Sequence, residues 1–472
     1  MNTQTNNKRR YKLGTYTVFV TLIAVALAIG FNLFFNEIPA NLTAFDLSNE
    51  KIYTIDDSTK ELIASIDKDI TIYLVAVQGQ EDLYISEIIE KYAALSSHIK
   101  VVHRDPAYFP TFVSKYTTEQ LQTNSLIVES EDRYKIIKYS DIYVAQYYYD
   151  QSYNMQQEVS FYLHSQLASA LDYVTSDSLP KLYMLTGHGE TALGSSLSGY
   201  ITSENIETED LNLITGAEVP EDASAVFINA PTADITVDEA SALIDYLSNG
   251  GKVILTTDLS LENCPNLDAV TKEMGLAKQH GVVIETNPNN YASYPYYIVP
   301  VMKNHSATEN VYGKYYTFLP TSHGIQKIQE LPEEITVTEL LTTTTASYLK
   351  IAGYDIQTYE KEDGDIVGPI NVGVISENSS NGAKLLWIAS ASITNESVDS
   401  RVSGGNSAML INGLTYLCNK ESSVDIVGIT FENSTLVVTS AQANLWTSVF
   451  CVIIPVFTLG LGLFVWIRRR KR

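Results

Sequence analysis

Hydrophobic positions along the chain form two kinds of pattern. One long, uncharged apolar run lies near each end, at Tyr16–Phe35 and Leu445–Ile467. Between them, short apolar stretches alternate with stretches in which apolar residues recur every three or four positions, as in strands and amphipathic helices. A helix rises about 1.5 Å per residue and needs about 20 apolar residues to cross a bilayer. The pattern therefore predicts transmembrane helices over 16–35 and 445–467.

Basic residues lie on the outer side of both apolar runs. Four cations stand between residues 8 and 12, and every residue from 468 to 472 is arginine or lysine. Because positively charged flanks stay on the cytoplasmic side, the segments 1–15 and 468–472 are predicted to be cytoplasmic. This makes the chain a double-pass protein of the cell membrane with a large extracytoplasmic domain. A cleaved signal peptide remains an alternative for the first run, although its apolar core usually has only about 7–15 residues.

A first α/β unit is predicted over 37–150. Two apolar strands, Ile70–Val77 and Ile99–Val102, flank a helix over Glu81–Ser97, and an alternating hairpin follows between 124 and 139. This order resembles a thioredoxin-like fold. The chain contains no C-x-x-C motif, so redox chemistry of the thioredoxin kind is excluded.

A linking helix over 151–176 and a second α/β unit over 177–430 follow. Strands alternating with helices in this way predict a mostly parallel sheet that is covered on both faces. The pattern predicts no elements for a polar, tyrosine-rich insertion over about 281–380. The strands of this unit are predicted at Lys181–Thr186, Ala225–Asn229, Lys252–Thr257 and Lys384–Ala389. A capping box, Thr236-Val237-Asp238-Glu239, predicts the start of the helix between the second and third of these strands.

Candidate binding residues follow the strands of the second unit. Open α/β sheets bind ligands at the carboxyl ends of their strands. Glycine there lets the backbone approach a ligand closely, and the side chains of His188, Glu190 and Asp258 suit a cation or a polar group. The alternative, which the sequence favours, is a tight strand-to-helix turn in which His188 is hydrogen-bonded within the crevice. The candidate residues are Gly187, His188, Gly189, Glu190, Asn229 and Asp258.

The motifs of several enzyme classes are missing. The chain has no G-x-S-x-G elbow, no G-x-x-x-x-G-K-[ST] phosphate loop and no H-E-x-x-H zinc motif. We therefore predict no catalytic residue, no cofactor and no metal. Three cysteines cannot form a disulfide framework, and the sequence leaves open whether Cys264 and Cys418 form one bond.

Charge excludes one class of partner. The 472 residues include 31 Lys+Arg and 55 Asp+Glu, a formal net charge of −24. The cations at the two ends leave the central body still more acidic. Nucleic-acid binding needs a basic face, so we expect no nucleic-acid partner.

Tyrosine is clustered in two places. An aromatic ring with a hydroxyl group suits a glycan or a protein surface, so a cell-surface adhesion or glycan-binding role is an alternative function. Ordinary packing at a domain junction is the interpretation that we favour. The clusters are Tyr143, Tyr147, Tyr148, Tyr149 and Tyr153, and Tyr291, Tyr294, Tyr296 and Tyr297.

Several short motifs in order resemble those of the GldG-like family, auxiliary proteins of gliding-motility-type ABC transport systems. They are Leu42-Thr43-Ala44-Phe45-Asp46-Leu47-Ser48, Lys51-Ile52-Tyr53-Thr54-Ile55, Lys68-Asp69-Ile70-Thr71-Ile72-Tyr73 and Leu185-Thr186-Gly187-His188-Gly189-Glu190. The resemblance implies that the second unit is similar to a class I glutamine amidotransferase without its nucleophile. It also implies that the partners are a permease and an ATP-binding subunit on separate chains.

These observations lead to one functional hypothesis and two alternatives. The chain is expected to be a membrane-anchored, non-enzymatic auxiliary or ligand-binding component of an ABC transporter, whose substrate the sequence does not identify. The first alternative is the adhesion or glycan-binding protein, and the second is an enzyme on the amidotransferase-like sheet.

Overall fold

The computed structural model describes residues 52–420 except Asp132, 150–154, Ala217 and Glu262. It also describes residues 21–23, 25–27, 29–30, 429–430, 449–450 and 454–470. Residues up to Ile429 form one compact unit, and Thr430–Arg472 form a second. The predicted basic segment 1–15 lies outside the described residues. So do two parts of the motifs that carry the family resemblance, residues 42–48 and Lys51.

The first sheet has four strands in the order β2-β1-β3-β4. Strand β1 is parallel to β2 and antiparallel to β3, and β3 is antiparallel to β4. The predicted β-α-β unit and hairpin are therefore present, with bounds shifted by a few residues. The elements are α1 (Asp57–Ser65), β1 (Ile70–Val75), α2 (Leu83–Leu95), β2 (Ile99–Arg104), β3 (Ser125–Ser130) and β4 (Arg133–Ile137).

The predicted linking helix is shorter than expected. Its first part, residues 155–161, is a strand, β6, which pairs antiparallel with β5 (Tyr143–Tyr149) and contains the buried Phe161. Only the residues after Tyr162 are helical. Residues 151–154 lie outside the described part of the chain. The elements here are α3 (Tyr139–Ile142), β5 (Tyr143–Tyr149), β6 (Met155–Phe161) and α4 (Leu163–Thr175).

Helices cover one face of the first sheet. Ile70, Ile72 and Leu74 alternate along β1 and are almost fully buried, as expected for the covered face of a strand. Helix α2 packs on β2, α4 packs on β3 and β4, and α1 contacts both helices. Helix α4 also joins the two α/β units, because Lys135 of β4 donates to Ser169 of α4 at 2.8 Å and to Asn205 at 2.6 Å.

The second sheet has ten strands, and the five neighbouring strands at one side of it, β8-β7-β9-β10-β21, are parallel. This confirms the predicted mixed α/β fold with a largely parallel sheet. Residues on both sides of β9 are buried, so both faces are covered. The elements up to the insertion are β7 (Lys181–Leu185), α5 (Ser195–Ser203), β8 (Glu207–Leu211), β9 (Ala223–Asn229), α6 (Val237–Ser248), β10 (Lys252–Thr256), α7 (Pro265–Glu273) and β11 (Leu276–Gln279).

The insertion extends the second sheet. Strand β20 is antiparallel to β21, β17 and β16, and β16 is antiparallel to β11. A separate small sheet has the order β12-β18-β19. The strands are β12 (Val282–Ile284), β13 (Tyr297–Ile298), β14 (Val301–Met302), β15 (Leu319–Pro320), β16 (Gly324–Lys327), β17 (Ile335–Thr342), β18 (Tyr348–Lys350), β19 (Ile366–Val367), β20 (Asn371–Asn378) and β21 (Lys384–Ile388).

The second α/β unit ends with a buried helix. After the short α8 (Glu396–Asp399), the Asp399 carboxylate accepts the backbone N–H groups of Asn406 and Ser407 at 2.9 and 3.1 Å and so caps α9 (Gly405–Leu417). Twelve of the thirteen residues of α9 are buried. Its Asn406 bonds both the N–H and the C=O of Phe318, which ties the insertion to the core.

The predicted membrane topology is wrong. Among the described residues, no helix combines the length and the apolar character needed to cross a membrane. The helix α10 (Ile454–Arg470), which follows the two-residue β22 (Ile429–Thr430), has 17 residues and ends in three arginines. It rises about 26 Å in total, so its apolar part is shorter than the hydrocarbon core of about 30 Å. The finding contradicts the spans over 16–35 and 445–467 and the double-pass localisation with cytoplasmic termini.

Candidate functional site

The turn after β7 requires its two glycines. Gly187 has φ +124° and Gly189 has φ +73°, values that side chains with a Cβ rarely adopt. A Cβ on Gly189 would stand 2.1 Å from Thr232 Oγ1, and one on Gly187 would stand 2.5 Å from Ile214 Cδ1. The space beside both glycines is therefore filled by this chain's own side chains.

His188 lies between two carboxylates. Its Nδ1 is 3.0 Å from Glu190 Oε1, and its Nε2 is 3.0 Å from Glu239 Oε2. The three side chains are 6%, 8% and 0% exposed. A carboxylate without a proton only accepts, so both contacts are hydrogen bonds only when a proton lies on each N···O line. The two acids meet opposite edges of the ring.

The backbone of the turn is equally constrained. The His188 carbonyl accepts the backbone N–H groups of Thr232 and Ala233 at 2.9 and 3.1 Å, together with the Thr232 hydroxyl at 3.1 Å. The His188 N–H donates to Glu190 Oε2 at 2.8 Å. Ring and backbone are thus both held in place.

Glu239 was predicted only as part of a capping box and proves to be the partner of His188. The capping box at Thr236 and Glu239 forms as predicted. Glu239 Oε2 accepts from the Thr236 N–H and hydroxyl, both at 2.8 Å, as well as facing His188. Its other oxygen, Oε1, is buried and has no hydrogen-bond partner in the described part of the chain.

Asn229 serves the same turn from the next strand. Its Nδ2 donates to the Thr191 carbonyl at 2.5 Å, and its Oδ1 accepts from the Thr256 hydroxyl at 2.7 Å. The Asn229 carbonyl accepts the Thr191 N–H at 2.8 Å. The buried amide therefore joins the ends of β7, β9 and β10 through internal contacts.

Asp258 belongs to a different group of contacts. Its Oδ1 accepts from the Ser260 N–H and hydroxyl at 2.8 and 2.5 Å. Its carbonyl accepts from Lys278 Nζ at 3.0 Å. Of the six predicted site residues, the structure joins Gly187 to Glu190 in one turn, adds Asn229 as its brace and gives Asp258 contacts in another loop.

The arrangement at His188 suits a structural lock better than a metal or an active site. Two carboxylates on opposite nitrogens cannot converge on one ion, and no group of three or more His, Cys, Asp or Glu in the described ranges is placed to hold a metal. Ser195, the first residue of α5, donates to Glu396 Oε1 at 2.9 Å. That contact supplies no histidine base of the kind that activates a serine nucleophile.

His323 is a second buried histidine, which the sequence analysis did not single out. Its Nδ1–H donates to the Gly324 carbonyl at 2.8 Å, so Nε2 accepts from the Thr257 hydroxyl at 2.7 Å. Thr257 accepts in turn from Trp387 Nε1 at 2.7 Å. Burial lowers the pKa of His323 to about 3, so the ring is neutral.

We expect His323 to make the protein less stable in acid. Its pKa in the unfolded chain is near 6.5, so below that pH the unfolded state binds a proton that the folded state refuses. The contribution to stability is complete above pH 6.5 and falls by about 1.4 kcal/mol per pH unit toward pH 3. Urea denaturation at pH 7.0, 5.5 and 4.5 should show a steeper loss for the wild type than for His323→Asn. Equal pH slopes would contradict the assignment.

Both cysteines among the described residues are free. Cys264 is buried, Cys418 is partly buried, and neither forms a disulfide. Burial raises the pKa of each thiol to about 11. Neither thiol therefore has the thiolate character of an amidotransferase nucleophile.

The tyrosines that can be placed pack against other side chains of the chain. Tyr143 donates to Asp82 Oδ2 at 3.1 Å and lies 5.0 Å from the ring of Phe161. In the second cluster, Tyr294 stacks on Tyr296 with ring centroids 5.5 Å apart. The ring of Tyr297 meets both of them edge to face, at 5.4 and 4.8 Å. The side chains of Tyr147, Tyr148, Tyr149 and Tyr153 lie outside the described residues.

Comparison with known proteins identifies one family match and several similar folds. Residues 49–145 match the family described as a domain of unknown function, DUF7088. No curated protein matches the chain.

Among solved structures, the N-terminal domain of mmIFT52 has a TM-score of 0.37 and 14% identity and covers 50% of this chain and 97% of its own. PurLQS from Thermotoga maritima has a TM-score of 0.29 and 12% identity, and the match covers 51% of this chain and 100% of its own. A glutamine amidotransferase from Thermotoga maritima has a TM-score of 0.30 and 11% identity, and the match covers 52% of this chain and 100% of its own.

Proposed function

We propose that the chain is a non-enzymatic auxiliary or ligand-binding component that works with the permease and ATP-binding chains of an ABC transport system. The link to such transporters rests on the resemblance of the short motifs to the GldG-like family. The absence of a phosphate-loop motif agrees with a division of labour in which another chain hydrolyses ATP.

One observation carries the non-enzymatic part of the proposal. The carboxyl end of β7, where an open α/β sheet would present a reactive group, is occupied by the turn from Gly187 to Glu190. Both ring nitrogens of His188 contact carboxylates, and its carbonyl accepts from Thr232. Asn229 donates to the Thr191 carbonyl just after the turn. A group that is locked in this way positions backbone and does not turn over a substrate.

We also propose a relationship to a known fold for each of the two α/β units. The first unit is thioredoxin-like, which the strand order β2-β1-β3-β4 with one parallel pair supports. The second unit is derived from a class I glutamine-amidotransferase-like sheet that has lost its nucleophile. The five neighbouring parallel strands β8-β7-β9-β10-β21 support that view.

The test is co-purification of the tagged full chain from its native cells in mild detergent, with the partners identified by mass spectrometry. We expect one chain with a phosphate-loop ATP site and one polytopic chain, both absent when an unrelated acidic protein carries the tag. Recovery of neither chain would rule out the transporter role. Release of ammonia from glutamine by the purified protein would instead favour an enzyme.

A further inference from the structure

The second face of the first sheet carries a pocket. Helices cover the face of Ile70, Ile72 and Leu74, and the alternation of strand residues places Tyr73, Glu129 and Tyr134 on the other face. That face is covered by the irregular segment 105–124, which connects β2 to β3 and contains one short 3₁₀ turn. Sheet and segment border an open pocket of about 500 Å³, a volume within the range of small-molecule sites.

Aromatic rings form the walls of the pocket. Phe112 and Tyr116 of the segment lie 5.3 Å apart, and Phe112 lies 4.8 Å from Tyr73 of the sheet. Tyr134 meets the edge of Tyr116 at 5.1 Å and donates to its carbonyl at 2.8 Å. Because the rings contact one another and the sheet, the walls are held in place before any ligand arrives.

Two cations without an acidic partner border the same pocket. The Arg104 guanidinium lies 5.4 Å from the ring centres of Tyr73 and Phe112 and 5.1 Å from that of Phe109. Its only hydrogen bond with the described residues is a long one of 3.4 Å to the His103 carbonyl. Neither Arg104 nor Lys115 forms an ion pair within the part of the chain that the structure describes.

The one acid of the pocket is already engaged. Glu129 Oε2 accepts the Tyr116 hydroxyl at 3.0 Å. Two unpaired cations against one bonded carboxylate leave the pocket positive, in a chain whose net charge is −24. The Arg104 guanidinium lies within 5.4 Å of three aromatic ring centres and presents a planar set of N–H donors. Such a set matches the two oxygens of a carboxylate.

We infer that this pocket binds a small carboxylate that carries a ring, with the carboxylate on Arg104 and Lys115 and the ring against Tyr73, Phe112 and Tyr134. The ring can be aromatic or that of a sugar acid, because both stack on aromatic side chains. The site lies wholly within the segment that matches the family of unknown function. It does not depend on the transporter role proposed above.

The test measures binding of four probes to the full chain by isothermal titration calorimetry. Indole-3-acetate represents aromatic acids and glucuronate represents sugar acids, and indole-3-acetamide and glucose are their uncharged counterparts. We expect at least one acid to bind at least tenfold more tightly than its uncharged counterpart. The arm that binds identifies the source of the ring.

Three variants assign the binding to the pocket. Arg104→Met keeps an apolar side chain on the rings and should weaken binding of the acid at least tenfold. Lys115→Met changes an exposed residue, so the protein should fold normally. It should bind the acid at least about threefold more weakly than the wild type does. Lys100→Met removes an exposed cation from the same strand outside the pocket and should bind as the wild type does.

Three results would overturn the inference. The first is that no probe binds at millimolar concentration. The second is that acids and their uncharged counterparts bind equally well. The third is that Lys115→Met and Arg104→Met, each folded by circular dichroism, bind the acid as tightly as Lys100→Met.

Discussion

Replacing His188 with alanine is expected to lower the free energy of unfolding by about 3–5 kcal/mol, because the change leaves two buried acids, Glu190 and Glu239, without their shared partner. Urea denaturation at pH 7 measures the effect. His98→Ala is the matched control, since His98 pairs with Asp69 at an exposed site, 42% and 76% exposed. We expect that control to cost at most about 1 kcal/mol.

A second variant separates the lost charge contact from the lost volume. Glu239→Gln keeps an oxygen for the capping box at Thr236, because glutamine also serves at that position. Combined with His188→Ala, it removes one unpaired buried charge and should recover part of the lost stability. A His188→Ala protein as stable as the wild type would contradict the structural lock and make His188 a candidate for ligand binding after all.

Replacing Lys350 with methionine should destabilise the protein by a similar amount, about 3–5 kcal/mol. Lys350 is fully buried in the insertion, where its Nζ donates to Glu362 Oε2 at 2.6 Å and lies 3.4 Å from Asp365 Oδ2. The carboxylate of Asp365 is only 3% exposed. Removing the ammonium group therefore leaves a buried negative charge without its counterion.

Lys303→Met provides the control for Lys350. Lys303 pairs with Glu339 in the same insertion, but both side chains are nearly half exposed. Water and salt screen such a pair, so its loss should change the free energy of unfolding by no more than about 1 kcal/mol. Thermal and urea unfolding of both variants measure the difference. Equal stability of the two variants would show that the burial of Lys350 has no energetic consequence.

The elements that the sequence predicted well are those with continuous apolar strands or explicit caps. The strand at Lys252–Thr256 and the capping box at Thr236 were both visible, because each depends on neighbouring residues. The predicted helix over 151–176 is partly wrong, since Val159 fits a helical spacing with Leu163 and also a strand spacing with Phe161. Pairing with β5, which decides between them, is a tertiary contact.

The insertion was not predicted for a related reason. Its longest strands, Ile335–Thr342 and Asn371–Asn378, pair with each other and with the core sheet, and several others have only two to four residues. Short strands of this kind are specified by their partners rather than by their own sequence. The membrane spans were predicted from run length alone, and the described C-terminal helix is shorter than its apolar run.

At the candidate site, the sequence located the turn but not what holds it. Gly187, His188 and Glu190 are near neighbours, so their clustering was visible. Glu239 lies 51 residues beyond His188, and only the fold brings the two together. The aromatic pocket was missed for the same reason, because Tyr73, Arg104 and Glu129 converge from three different strands.

The pairing of β20 with both β21 and β17 makes the inserted segment a continuation of the parallel sheet. Because the two regions share the backbone hydrogen bonds between β20 and β21, we expect them to unfold together as one cooperative unit. We therefore expect that the inserted segment does not fold independently of the parallel sheet. Deleting the segment would leave the backbone N–H and C=O groups on one side of β21 unpaired, and such an exposed edge strand favours association with a second copy of the chain.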